Sequence, residues 1–246
     1  MTLARLLLRV RLAFSFLTIL PIRIEGADES DVAASMAWFP FVGWAMGLMF
    51  AIEDGILALL FGPAIRSALV VLSMVILTGA VHLDGLADTA DALGAGRDRA
   101  LEVLRDSRLG TFGTIAVFFA LLLKVLALAS LEGQARLATL VLALTVARWA
   151  LVAVSYRVDY LRPVGAGSSM LGRGDARNLS IASVFAILPL IPAYSHKAIL
   201  AYVFAIATTF ALRWFYRRWL GGVTGDLIGA CGEIVEVLVM LTMAAR

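Results

Sequence analysis

Charge, sulfur and histidine are all scarce in this chain of 246 residues. Only 16% of its residues are charged against 61% hydrophobic, and its mean hydropathy is +0.93. That balance excludes an ordinary soluble domain, whose apolar share is about 45–50%. A single cysteine, Cys231, excludes an intrachain disulfide. With one cysteine and two histidines, no Ser-His-Asp set, cysteine nucleophile or thiolate-rich zinc site stands out. No internal repeat of the kind found in transporters is visible. The apolar amino-terminal stretch lacks a small-x-small cleavage site, which argues against a signal peptide.

What remains is a polytopic all-α membrane protein, read as one integral catalytic domain over residues 1–246. Apolar runs near bilayer length predict seven transmembrane helices: Val32 to Ile52, Ala64 to Val81, Thr111 to Ser130, Gln134 to Tyr156, Leu179 to Tyr194, Ala198 to Arg213 and Leu227 to Ala245. Ahead of them, Leu3 to Leu20 carries Arg5, Arg9 and Arg11 on an apolar stretch ending at Pro21, the pattern of an interfacial amphipathic helix. On this layout fifteen of the 21 Lys and Arg residues fall on the side where the first span starts, four on the other, and Lys124 and Arg148 lie inside spans. The positive-inside rule makes the rich side cytoplasmic. Topology therefore accounts for the basic balance, and no nucleic-acid partner is needed.

The rich side also carries the unusual polar motifs. In His82-Leu-Asp-Gly-Leu-Ala-Asp-Thr-Ala-Asp91, the carboxylates of Asp84, Asp88 and Asp91 recur at steps of four and three and share one helical face. Within about 11 Å of helix they repel one another unless a cation holds them. Carboxylate oxygens without thiolates or a histidine pair favour Mg²⁺; a solvated helix end is the bland alternative. Arg105-Asp-Ser-Arg-Leu-Gly-Thr-Phe-Gly113 follows in the same loop, where basic groups and glycines before a helix start suit a phosphate. Arg162, with Gly165 and Gly167, offers a similar but less specific pattern.

In Leu220-Gly-Gly-Val-Thr-Gly-Asp-Leu-Ile-Gly-Ala-Cys-Gly-Glu233, Asp226 and Glu233 stand two turns apart, with Gly229 between them leaving room for a ligand or another helix. Acids that begin an apolar span are expensive and point to function. Glu236 reads as structural, His82 as a hydrogen-bonding partner of an Asp, and Glu53 and Asp54 as interfacial on the far side. Acids from two separated segments together with several arginines form a minimal set for metal-assisted phosphoryl transfer.

These stretches, together with Phe39-Pro-Phe-Val-Gly43, Lys124 and Arg148, resemble the adenosylcobinamide-GDP ribazoletransferase (cobalamin synthase) family from near the start of the chain to near its end. The chain departs from the family pattern at Ala92, usually Gly, and at Val164, where an acidic residue usually precedes glycine. The resemblance implies attack by a ribose hydroxyl of alpha-ribazole, or of its 5'-phosphate, on the cobinamide-linked phosphorus of adenosylcobinamide-GDP. GMP leaves, and Mg²⁺ is required. Under that expectation Asp84, Asp88, Asp226 and Glu233 hold one or two Mg²⁺ ions, and Asp91 is either the base or a further ligand. Arg108, Lys124, Arg148 and Arg162 hold phosphates, with Thr224 assisting. The site faces the cytoplasm from a bacterial inner membrane, and a homo-oligomer is compatible. Two rivals share some of these features: a phosphotransferase acting on CDP-linked lipids, and a cation transporter with midplane acids.

Overall fold

Long apolar stretches with few breakers make long helices, and the breakers that do occur set their ends. The computed structural model describes residues 2–106, 108–161, 175–191, 193 and 195–246. Among them it has no strand and contains the helices α1 (Leu3–Leu17), α2 (Glu29–Ser35), α3 (Phe39–Leu57), α4 (Pro63–Thr78), α5 (Val81–Ala95), α6 (Arg97–Val103), α7 (Thr111–Ala129), α8 (Gly133–Ser155), α9 (Ala176–Ile187), α10 (His196–Trp219) and α11 (Gly225–Ala244). Asp28, Asp175, Ser195 and Thr224 cap α2, α9, α10 and α11 by accepting a backbone N–H from the first turn. Pro63 opens α4, where its missing N–H costs nothing.

The chain is a multi-pass helical membrane protein, with fewer candidate spans among the described residues than the seven expected. Glu29–Leu57, Thr111–Ala129, Gly133–Ser155, His196–Trp219 and Gly225–Ala244 are long and apolar enough to cross a bilayer, and a sixth exists only if α4 and α5 count together across an 89° bend. The segment expected from Ala64 to Val81 stops at Thr78, because Gly79 and Ala80 both adopt left-handed backbone, at φ 60° and 57°. Glycine tolerates that conformation freely, whereas for alanine it costs roughly 1–2 kcal/mol. The segment expected from Leu179 to Tyr194 is broken earlier. There α9 ends at Ile187, Pro189 enters a 3-10 turn, and Ala176–Leu190 makes only a shorter apolar helix.

At 15 residues, α1 spans about 22 Å, less than the roughly 30 Å hydrocarbon core. Two of its three guanidiniums pair with carboxylates around the start of α2. Arg5 donates to Asp28 at 2.9 Å and also pairs with Asp31, while Arg9 donates to Asp31 at 2.9 Å. The Ser30 hydroxyl, the Asp31 amide and Arg5 together hold the Asp28 carboxyl well below the usual carboxylate range. Just beyond α1, the Ile19 amide donates to the Leu77 carbonyl at 2.9 Å. The Ile19 side chain fills the space where a Cβ on Gly79 would sit, so the bend is braced from outside.

The centre of the molecule is α8, buried without interruption from Leu142 to Ser155 and surrounded by α3, α9, α10 and α11. A helix that is mostly apolar all round belongs in such a place. On α3, Gly43 and Gly47 permit backbone contact with α8: an added Cβ would lie 2.4 Å from the Leu144 carbonyl oxygen and 2.6 Å from the Val141 Cα, respectively. Cys231 on α11 is fully buried.

Asp54, expected at an interface, is instead 2% exposed and faces Arg136, which is 1% exposed. Arg136 Nε donates to both Asp54 oxygens at 2.8 Å, and its Nη2 donates to the Ser67 hydroxyl at 3.0 Å. Its Nη1 donates to the Leu128 carbonyl. One side chain thus ties together α3, α4, α8 and the end of α7. Removing one member of a buried pair strands the other charge, at a cost of about 3–5 kcal/mol. Arg136→Met should therefore unfold in detergent well below the wild-type temperature, and Asp54→Leu combined with Arg136→Met should recover much of the loss. Thermal unfolding of wild type and the two variants checks this, and an Arg136→Met protein as stable as wild type would refute it.

Candidate active site

The acidic motifs meet where α5 crosses the start of α11, and glycines set the distance. A Cβ on Gly85 would lie 3.0 Å from the Cα of Asp226 and 2.7 Å from its carbonyl oxygen, and a Cβ on Gly229 would lie 3.3 Å from the Cα of His82. The backbones therefore touch at Gly85 and Gly229. Gly229 makes room for a helix, the second of the two purposes its position allowed. Asp84, next to Gly85, is exposed, and Asp88 and Asp226 are half-buried. Thr224 caps α11 and directs its hydroxyl to Asp226 Oδ2 at 3.3 Å.

The first turn of α7 packs against the other end of the acidic face. The Gly110 amide donates to Asp91 Oδ2 at 2.7 Å and the Gly113 amide donates to Asp91 Oδ1 at 2.9 Å. A Cβ on either glycine would come within 2.4 Å of a carboxylate oxygen of Asp91. The glycines do admit an anion to the positive end of a helix, but that anion is Asp91 rather than the expected phosphate. Arg108, in the loop before α7, is exposed and grips Asp106 through its Nε at 3.0 Å and its Nη2 at 2.5 Å. Hydrogen bonding to the Arg108 side chain, then to its backbone amide, lowers the Asp106 pKa, and the carboxylate raises that of Arg108.

Deeper along α11 lies a separate group. Lys124 Nζ donates to Glu233 at 2.5 Å and to Glu236 at 2.7 Å, and Arg148 pairs with the other oxygen of Glu236. All four side chains are buried. They line a small cavity of about 10 Å³ together with Thr78 and Leu83, roughly the room needed for one water. Two carboxylates and two cations cancel there. Glu233 stands two turns, about 10 Å, beyond Asp226, and it is committed to Lys124. Lys124 and Arg148 in turn are committed to glutamates. Arg162 lies outside the described residues.

The structure thus brings Asp84, Asp88 and Asp226 to one crossing, sets Asp91 on the start of α7, and places Glu233, Lys124 and Arg148 in an ionic group behind them. Among the described residues no three His, Cys, Asp or Glu side chains are gathered as a bound ion would require. The donor chemistry of Asp84, Asp88 and Asp226 still suits a hard cation, since it is oxygen throughout and the backbones carrying it are already in contact. The Lys124 ion group was within reach of sequence reasoning: two basic and two acidic residues inside apolar helices are the signal for mutual neutralisation. The Asp54–Arg136 pair gave a weaker signal, because both residues fall near span ends.

A family model described as cobalamin-5-phosphate synthase matches residues 9–244. The adenosylcobinamide-GDP ribazoletransferase of Geotalea daltonii is 37% identical over 241 residues, which are 95% of this chain and 95% of that protein. Its counterpart in Escherichia coli K12 is 36% identical over 240 residues, 93% of this chain and 96% of the relative. No solved structure matches.

The packing of Asp91 separates its role from that of Asp84. Asp91→Asn turns one acceptor into a donor facing an amide, and Gly113→Ala drives a methyl group against both Asp91 and the Ala87 carbonyl oxygen, 2.9 Å away. Each should lower stability by about 1–3 kcal/mol. Asp84→Asn, at an exposed position, should leave stability within about 0.5 kcal/mol of wild type. Unfolding in detergent reads all three, and an Asp91→Asn protein of unchanged stability would remove the anchoring role.

Proposed function

The chain belongs to the cobalamin-5-phosphate synthase family, and from that membership and the crossing of α5 with α11 we propose an adenosylcobinamide-GDP ribazoletransferase that joins the two halves of cobalamin at this crossing. A ribose hydroxyl of alpha-ribazole, or of its 5'-phosphate, attacks the phosphorus that bears cobinamide. A new P–O bond forms, the P–O bond to GMP breaks, and GMP departs with the electron pair. The observation that supports this site best is the backbone contact of Gly85 with Asp226. It sets the backbone that carries Asp84 and Asp88 against the backbone of Asp226.

In this reading Asp84, Asp88 and Asp226 hold Mg²⁺, which would offset charge on the phosphoryl oxygens. The hydroxyl proton would pass to a carboxylate oxygen of the same acidic face. Thr224 orients Asp226 through its hydroxyl. Arg108 is exposed, and its fork can exchange Asp106 for a substrate phosphate oxygen; Arg162 is assigned the same task. Asp91 is assigned to holding α7 against α5. Glu233, with Lys124, Arg148 and Glu236, forms the neutral floor that fixes α11, so that Asp226 returns to the same place after each turnover. The reaction takes place at the cytoplasmic face of the bacterial inner membrane, in one catalytic domain, and a homo-oligomer is compatible with it.

Purified protein given adenosylcobinamide-GDP and alpha-ribazole should release GMP with Mg²⁺ and stop when the metal is chelated. Asp84→Asn and Asp226→Asn should each reduce kcat at least about 100-fold, about 2.7 kcal/mol of barrier, without unfolding. No GMP from folded wild-type protein would overturn the activity. Full Mg²⁺-dependent turnover by Asp84→Asn would overturn the site.

A further inference from the structure

Among the candidate spans, α10 is the least enclosed, with only 22% of its apolar window buried. Its inner face, Ala198, Ala201, Ala205, Thr209 and Tyr216, packs on α8 and α11. The opposite stripe runs Ile199, Val203, Ile206, Phe210, Trp214 at steps of three and four, and every member is exposed, from 39% at Ile199 to 63% at Trp214. This stripe does not continue to the end of the helix. Over its last two turns it becomes basic, with Arg213, Arg217 and Arg218.

These three arginines line an open hollow on one face of α10 with Phe210 and Trp214. The Arg218 guanidinium lies 5.7 Å from the centre of the Trp214 ring, and Arg213 lies 5.7 Å from that of Tyr156. No carboxylate forms an ion pair with Arg213, Arg217 or Arg218 among the described residues. They contrast with Arg5, Arg9, Arg136 and Arg148, each of which has an acidic partner. The pocket thus carries an uncompensated charge of +3, with an indole at its wall and an apolar track leading away along the helix.

We infer that this pocket binds the headgroup of an anionic phospholipid, with one acyl chain lying along Phe210, Ile206 and Val203. Guanidinium forks match phosphate oxygens bidentately. Tryptophan near the end of a span is the usual marker of the headgroup region, and unpaired basic residues beside a span attract anionic lipid. A zwitterionic headgroup brings its own cation into a site already carrying three, so the pocket discriminates by charge. It opens on the face of α10 turned away from α8 and α11. Only residues 220–224 separate α10 from α11, so it lies at the same end of the bundle as Asp226, and it is independent of the reaction proposed above.

Native mass spectrometry of the full chain, titrated with phosphatidylglycerol or phosphatidylcholine of identical acyl chains, tests the assignment. We expect wild type to retain phosphatidylglycerol at least about fivefold more tightly, with the preference weakening as salt is raised. Arg213→Gln, Arg217→Gln and Arg218→Gln combined should abolish the preference. Arg97→Gln, Arg99→Gln and Arg105→Gln combined, with the same loss of charge, should keep it. Equal binding of both lipids by wild type, or equal loss in both triple variants, would overturn the proposal; so would loss of a dimer in the α10 variant alone, which would give the face to a second copy of the chain. Should the α10 triple variant fail to fold, wild-type emission supplies the reading. Brominated phosphatidylglycerol should quench more than brominated phosphatidylcholine, and the difference should vanish in Trp214→Phe. A difference that survives in Trp214→Phe places the lipid elsewhere.

Discussion

Lys124, Arg148, Glu233 and Glu236 leave water together, and the rest of the bundle is arranged around that fact. Burying any one of them alone costs several kcal/mol even after relaxation, and lipid offers no route to rehydrate it. The cost is met only when Lys124 of α7, Arg148 of α8 and both glutamates of α11 arrive at one point. Charge therefore sets the register of three helices, a task for which apolar packing between membrane helices has little preference of its own. Once α11 is held in this way, the height of its first turn, and with it Asp226, follows.

On that fixed helix α5 is laid at close range. Gly85 and Gly229 remove the side chains that would hold the two backbones apart, and the left-handed pair Gly79–Ala80 turns the chain so that α5 can reach. The strain at Ala80 is local, and Ile19 supports the bend from the segment after α1. Asp91 then pins the far part of α5 to the start of α7. The acidic face is thus held through main-chain contacts at both ends, while Asp84 remains free to face solvent. The face is held rigid by contacts that do not depend on covering it.

Much of this was legible in the amino-acid order, and the failures have physical causes. The helical, multi-pass class follows from composition, and the acidic motifs stand out because Asp and Glu are costly beside apolar runs. Among the described residues the candidate spans fall short of the number expected at Ala64–Val81, where Gly79–Ala80 turn the backbone, and at Leu179–Tyr194, where Ala176–Leu190 makes only a shorter apolar helix; an apolar run reports an environment and not a direction. Gly110 and Gly113 were correctly read as admitting an anion, yet the nearest anion was an aspartate nineteen residues earlier, a contact that only the fold reveals. Asp54 and Arg136 sit at span ends, where position along the chain says interface and tertiary packing says core. Glu236 was read as structural, and it is, through Lys124 and Arg148.

The sole thiol of the molecule, Cys231, is wholly enclosed within α11. A buried sulfhydryl in apolar surroundings is silent toward water-soluble alkylating reagents. Any cysteine introduced at an exposed position is then the single reactive one, on the natural background and without disturbing the close packing around α11. The sidedness of each helix end in intact cells can be mapped one label at a time, with the native protein serving as its own blank.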